Sequence, residues 1–256
     1  LLIAQTNPGV EAYDPSFAYE LAVLIENGLE RMYGGEDGRG EDVIFYLTVY
    51  NEPAVQPAMP EHVDGQQVID GLYRFKEGPG GGHTAHILSS GTIINEALKA
   101  QELLAEDWNV SADVWSAPGW NRLLRDGAAV ESWNRTNPTK DKRVPLVRRI
   151  LEDNAGRPHV AVSDWMRATP FQIADWIPGP YAVLGTDGFG RADTRENLRR
   201  YHRIDAASTA YCVLAELVKL GELDESVLVE AIERYDLDFD RIPFFGQPGE
   251  NNDRTH

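Results

Sequence analysis

From Gly91 onward, short apolar runs alternate with helix-period segments, and that alternation constrains the chain more than any other feature. Strand patterns at 110–116 (VSADVWS), 159–163 (HVAVS) and 181–185 (YAVLG) are separated by helical patterns at 93–107, 119–133, 144–153 and 165–176. Strands joined through helices pair in parallel, because a tight hairpin cannot connect parallel neighbours, and their sheet needs helices on its faces. The expected class is therefore α/β with a mostly parallel sheet covered by helices. Just upstream, TAHILSSG reads as a strand closed by Gly91, VIDGLYRF as an alternating strand, and GPGGGH between them as a loop. Downstream, helices are expected near 194–201, 205–220 and 224–234, with Cys212, Leu214, Leu217 and Val218 as core and Asp224 opening the last helix before a polar tail.

The first 60 residues have a different texture. Asp14 reads as an N-cap with Pro15 in the first helical turn, and the segment after it places Phe17, Leu21, Leu24, Ile25, Leu29 and Met32 on one stripe, ending at Gly34 and Gly35. DVIFYLTVY, 42–50, is β-branched and aromatic on both faces, the pattern of a buried parallel strand. Residues 53–66 hold three prolines and show no period, so they read as a surface linker and the expected domain boundary.

Charge and cysteine usage exclude several classes. Lys and Arg number 24 against 41 Asp and Glu, a net charge of −17, so the field repels phosphate polyanions and no nucleic-acid partner is expected. Apolar runs stay short of the roughly 18 residues that a membrane-spanning helix needs, and no membrane association is expected. A single cysteine allows neither an internal disulfide nor a cysteine-based metal site, which fits a cytoplasmic protein. The opening LLIAQTNPGV has no initiator methionine and no signal-peptide features, so the sequence is expected to be the later part of something longer. Without a secretory signal, the acceptor patterns at Asn109 and Asn134 carry no weight.

Familiar catalytic signatures are missing: no G-x-S-x-G, H-E-x-x-H, Walker A loop or G-x-G-x-x-G. The histidines are scattered, and His83 and His86 fall on opposite faces of one strand, so no metal site is expected. The most unusual stretch is GTDGFGRADTRENLRRYHRID, 185–205, which leaves the carboxyl end of a strand, the edge where open α/β folds bind ligands. Between Gly190 and Arg203 it carries Arg191, Arg195, Arg199, Arg200 and Arg203 against Asp193 and Glu196. Two readings stand: the arginines dock an acidic surface or an anion, or they pair with neighbouring carboxylates while Asp187 satisfies turn amides. A second basic run, Lys140 to Arg149, reads as a solvated face or a subunit contact.

YDPSFAYELAVLIENGLERMYG, PAMPE, VLGTDGFGRADTRENLRR and GELDESVLVEAI resemble the C-terminal part of the bacterial homodimeric pyruvate dehydrogenases, decarboxylating components that use thiamine diphosphate and look like transketolases. The likeness runs from about Tyr13 to Asp238. It implies that residues 1–60 are the last helix and strand of the pyrimidine-binding middle domain with its linker, and that 61–256 form the transketolase-like C-terminal domain. It further implies a homodimer, a lipoyl-bearing acyltransferase as partner, and thiamine diphosphate with Mg2+ bound by N-terminal and middle segments of the same enzyme that lie outside this sequence. On that basis no catalytic residue is expected here. Asn51 and Glu52, at the end of the 42–50 strand, are the candidates for proximity to the substrate cleft. The family's histidine in that turn is replaced by Gln56. Arg191, Arg195 and Arg199 are the interface or anion candidates, and Asp187 is the structural turn residue.

Overall fold

A computed structural model of the chain describes residues 1–35 and 40–239, so most of the expected tail lies outside the described residues. Its centre is a five-stranded sheet in the order β3-β5-β4-β6-β7, built from β3 (Tyr73–Lys76), β4 (His83–Ser89), β5 (Val110–Ser116), β6 (His159–Val162) and β7 (Tyr181–Leu184). All pairs are parallel except β3 with β5. From β4 the chain crosses to β5 through α3 (Ile94–Trp108), then returns past β4 to β6 through α4 (Trp120–Thr136) and α5 (Leu146–Leu151). Crossovers of one hand that run in opposite directions put their helices on opposite faces. The two cores follow suit. Ile87, Val114 and Val162 pack with α3 and α8 (Ala206–Lys219), whereas Leu88, Trp115 and Ala161 pack with α4 and α5.

Residues 10–70 form a smaller unit on the sheet's carboxyl edge. Here β1 (Val10–Tyr13) pairs in parallel with β2 (Ile44–Leu47), and α1 (Ala18–Tyr33) and α2 (Gly65–Asp70) pack beside them. Several expectations need correction in this unit. Strand β1 was not anticipated. VIDGLYRF is not one strand: Asp64 caps α2 through the Gln67 amide, and the strand starts only at Tyr73. Strand β2 is parallel as expected but shorter, and Ile44 and Tyr46 are exposed, because no described element covers that face. Of the expected stripe, Phe17 and Leu24 are buried, but Glu20 and Gly28 complete the buried face of α1, and Ile25 and Leu29 are left exposed.

Asp14 is not a cap. It is fully buried and accepts hydrogen bonds from Tyr50 Oη at 2.6 Å, Ser90 Oγ at 2.6 Å and the Thr48 hydroxyl. Glu20, also fully buried, accepts from Ser116 Oγ at 2.6 Å, the Tyr73 hydroxyl and the amides of Ser16 and Phe17. Burial pushes its carboxyl above the usual range against the pull of those four donors. A close backbone contact adds to the seam: the Gly119 amide bonds the Gly71 carbonyl at 3.1 Å, and a Cβ on either glycine would sit 2.6 Å from the other's Cα.

The remaining helices are α6 (Ala168–Phe171), α7 (Arg195–His202) and α9 (Ser226–Arg234). The helix expected over 165–176 breaks into α6 and a 3₁₀ turn at Ala174–Trp176, since amides around Pro170 bond three residues back. His83 and His86 do lie on opposite faces: His83 meets Glu222 at 3.0 Å, while His86 is buried against His159 on the adjacent strand, ring centroids 4.9 Å apart. His86 Nδ1 accepts from the Trp115 indole at 3.2 Å, whereas its Nε2 and both His159 nitrogens have no side-chain hydrogen-bond partner among the described residues.

Burial, with Arg157 and Arg74 nearby, lowers His86 to about 4, and burial, with His86 beside it, lowers His159 to about 3. Unfolded histidine titrates near 6.5, so below that pH the unfolded chain takes up protons that the folded chain refuses, and stability falls as pH drops from about 6.5 toward 4. The urea midpoint is expected to fall between pH 6.5 and 5 in the parent chain and to change much less in H86Q/H159Q. Equal slopes in the two proteins would refute this origin.

Candidate functional site

The winding direction reverses at β4, and the crevice outside the carboxyl ends of β4 and β6 is where open α/β sheets take ligands. In this chain a cleft of about 200 Å³ opens there. Its walls come from the segment after β2 (Tyr50, Asn51, Glu52), the turn before α3 (Thr92), the loops after β6 (Asp164) and β7 (Thr186), and α7 (Arg195, Arg199, His202). Gly91 permits the approach of the first two. It has a φ of +57°, and a Cβ would lie 2.5 Å from the Tyr50 hydroxyl.

Candidates from distant parts of the sequence meet in this cleft. The Arg195 guanidinium donates to Asn51 Oδ1 at 2.7 Å and lies 3.9 Å from Glu52. Arg199 donates to Glu52 at 2.5 Å and approaches Glu96 at 3.4 Å, both of its partners being largely buried. Glu96 in turn accepts from the Ala206 amide at 3.1 Å and from Lys99 at 2.9 Å, which anchors the arrangement in the core of α3 and α8. Partial burial would raise the Glu52 carboxyl, but the hydrogen bond and charge of Arg199 outweigh it and hold the group below its usual range. Desolvation and the charges of Asp14 and Glu52 push Asp164 the other way, above its usual range, against the pull of Arg199. His202 is lowered by desolvation, with Asp164 opposing. The cleft thus holds a carboxylate fixed in its ionised form beside an acid that keeps its proton to higher pH, an arrangement suited to binding and orienting a small polar group.

The arginine run divides. Arg195 and Arg199 face the cleft, whereas Arg191 stacks at 4.3 Å on Tyr201 and Arg200 turns to Asp205 at 3.2 Å and to the carbonyls of Tyr235 and Asp236. Asp187 differs from expectation in its donors. It accepts from the Arg167 amide at 3.0 Å and from the Arg167 guanidinium, so it ties the loop after β7 to the loop after β6 rather than filling its own glycine turn. Among the described residues, no group of three or more His, Cys, Asp or Glu could hold a metal ion, and no helix is long and apolar enough to cross a membrane.

Residues 71–205, over half of the chain, match the transketolase-like TK C-terminal domain. The chain belongs to that family. Residues 1–57 match the pyruvate dehydrogenase E1 component middle domain. Proteins named pyruvate dehydrogenase E1 component are similar along 93% of the chain, with 50% identity in Mycolicibacterium smegmatis and 39% in Escherichia coli K12. The chain spans about a quarter of the length of these relatives, 25% and 26%. Among solved structures, transketolase from Leishmania mexicana aligns over 85% of this chain and 27% of its own, with TM-score 0.59 and 15% identity. Transketolase from Campylobacter jejuni aligns over 84% and 27%, with TM-score 0.56 and 14% identity. These likenesses fix the fold as that of a transketolase C-terminal domain.

Tyr50, Thr92, Glu96, Asp164 and His202 escaped the sequence reading. Asp164 was within reach of the rule that placed 185–205, since it too directly follows a buried parallel strand. Glu96 gave no signal, because its role depends on partners more than a hundred residues away.

Two stability outcomes follow for this transketolase-like domain. Asp187→Ala strands a loop amide and an arginine and is expected to cost on the order of 1–3 kcal/mol. Asp224, whose carboxylate receives the Ser226 amide at 2.9 Å at an exposed helix start, is expected to cost less than Asp187 on replacement by alanine; thermal denaturation distinguishes the two. Arg199→Ala leaves Glu52 and Glu96 without their shared cation and is expected to cost on the order of 2 kcal/mol, against less than about 1 for the half-exposed Arg195→Ala. Equal losses would show that the cleft is not organised around Arg199.

Proposed function

We propose that this chain is the C-terminal portion of a pyruvate dehydrogenase decarboxylating component, divided at about residue 60 into the end of a middle domain and a transketolase-like C-terminal domain. The observation that carries this reading is the unbroken similarity, across both units, to proteins of that name. On this reading the whole enzyme decarboxylates pyruvate and reductively acetylates a lipoyl group carried by an acyltransferase. The described residues do not fit Mg2+, for they bring together no group of three or more acidic, histidine or cysteine ligands. Thiamine diphosphate, which supplies the carbanion chemistry, and its Mg2+ are therefore assigned to the enzyme's other segments, and no step is routed through this chain's own side chains.

The contribution of the chain is to form one wall of the substrate entrance. Asn51 and Glu52 stand at its lip, oriented by Arg195 and Arg199, and the cleft lies at the sheet's switch point. The arginines thus act inside the protein, setting the turn after β2. The exposed apolar side chains Ile25 and Leu29 of α1, and separately Ile44 and Tyr46 of β2, support packing against the remaining segments of the same enzyme, within a homodimer.

The test compares the full-length enzyme with the isolated 256-residue chain, each supplied with thiamine diphosphate, Mg2+ and an artificial electron acceptor. Pyruvate-dependent reduction is expected from the full-length protein and none from the chain alone. Full-length protein that accepts a ketose donor and ignores pyruvate would replace this reading with a transketolase activity, and turnover by the isolated chain would overturn the division of labour.

A further inference from the structure

The second basic run, Lys140 to Arg149, has no part in the cleft. Elsewhere in this acidic chain cations are mostly matched: Arg31 with Glu11 and Glu41, Arg167 with Asp187, Arg199 with Glu52 and Glu96, Arg234 with Asp107 and Glu230. Lys140, Lys142, Arg143, Arg148 and Arg149 are all exposed, and none of the five belongs to an ion pair with a described residue. Carboxylates outnumber cations 41 to 24 in the sequence, so five neighbouring cations without a carboxylate partner run against its overall balance.

The run is also held in shape. Asn134, near the end of α4, accepts from the Arg143 amide at 2.9 Å, donates to the Arg143 carbonyl at 2.9 Å, and receives Lys142 Nζ on its own carbonyl at 2.9 Å. The Arg143 guanidinium lies 3.9 Å over the Trp133 ring, a contact that fixes the side chain without neutralising it. Asp126 accepts the Leu146 amide at 2.5 Å and anchors the start of α5, which carries Arg148 and Arg149. A surface whose charges are already ordered loses little entropy on binding and presents its cations at full strength.

We propose that this strap and the first turns of α5 form a docking surface for an acidic segment of another protein. Five exposed cations outside any ion pair, against the single Asp141 within the run, call for an anionic partner. The −17 net charge opposes the approach of a nucleic acid, whose charge extends far beyond the patch, more than that of a short segment with a few carboxylates. A membrane surface would need apolar side chains to insert, and within the run Val144 is the exposed one. The surface is separate from the cleft, and the proposal does not depend on the catalytic reading.

The experiment uses the full-length protein and a fluorescein-labelled peptide of alternating glutamate and glycine, read by anisotropy at low and at physiological salt. Comparison probes are the same peptide with glutamine for glutamate, single-stranded DNA of equal charge, and phosphatidylserine vesicles. The acidic peptide is expected to bind more tightly than any comparison probe and to weaken with salt. K142E/R148E/R149E is expected to weaken it at least about tenfold, with thermal midpoint and sedimentation unchanged. K76E/K219E/R234E, which changes net charge equally at paired sites, is expected to weaken it less than about twofold. Equal losses in the two variants, no peptide binding at low salt, or tighter binding of DNA or vesicles would overturn the proposal. A shift of K142E/R148E/R149E to a smaller species on sedimentation would overturn it too, by making the patch a contact between copies of this protein.

Discussion

Two buried carboxylates join the halves of this molecule. Asp14 leaves the end of β1 and accepts hydroxyl hydrogen bonds from β2's extension and from Ser90 just after β4, while Glu20 in the first turns of α1 accepts them from Tyr73 on β3 and Ser116 on β5. A carboxylate removed from water is tolerated only when donors replace its hydration, and each of these acids has several drawn from both units. The N-terminal unit is therefore seated on the sheet by polar bonds with fixed directions, and two of them, from Thr48 and Tyr50, hold the segment that follows β2. Asn51 and Glu52 inherit that position.

The cleft depends on the same seam. Its floor is the carboxyl end of the sheet, its near wall is carried by β2, and its far wall by α7, with Arg199 bridging Glu52 on one side and Glu96 on the other. Because Glu96 also receives the first amide of α8, the arginine links the lip of the cleft to the core beneath it. The opposed protonation tendencies of Glu52 and Asp164 arise from this geometry: Glu52 has a guanidinium within bonding distance, whereas Asp164 is raised first by its burial and then by the charges of Asp14 and Glu52, against the pull of Arg199.

Much of the sheet was legible in the sequence, because its central strands β4, β5 and β6 are buried on both sides and its flanking helices carry one apolar stripe. VSADVWS, HVAVS and YAVLG are strands β5, β6 and β7, within a residue at each end, and α3, α4 and α5 fall near where their period places them, whereas the helix expected over 165–176 is broken. The N-terminal unit was read less well for definite reasons. Its packing face on α1 includes Glu20 and Gly28, residues that a hydrophobic stripe omits, and Asp14 followed by proline carries a capping signature whose oxygens are claimed instead by side chains 34, 36 and 76 residues away. In the candidate site, Asn51, Glu52 and the arginines were singled out separately, by resemblance and by charge, and nothing local announced that Arg195 reaches Asn51 across 144 positions.

The contact between Gly71 and Gly119 carries a consequence of its own. Each glycine excludes a side chain from the other, so the first step away from glycine is blocked at both positions, and a change at one cannot be relieved by shrinking the other, which has nothing left to lose. The two backbones act as a steric lock with no side-chain solution, and any sequence that abandons it must move α2 or α4 instead. The spacing between the linker and the sheet is in this sense written in the main chain, where substitution can break it but cannot tune it.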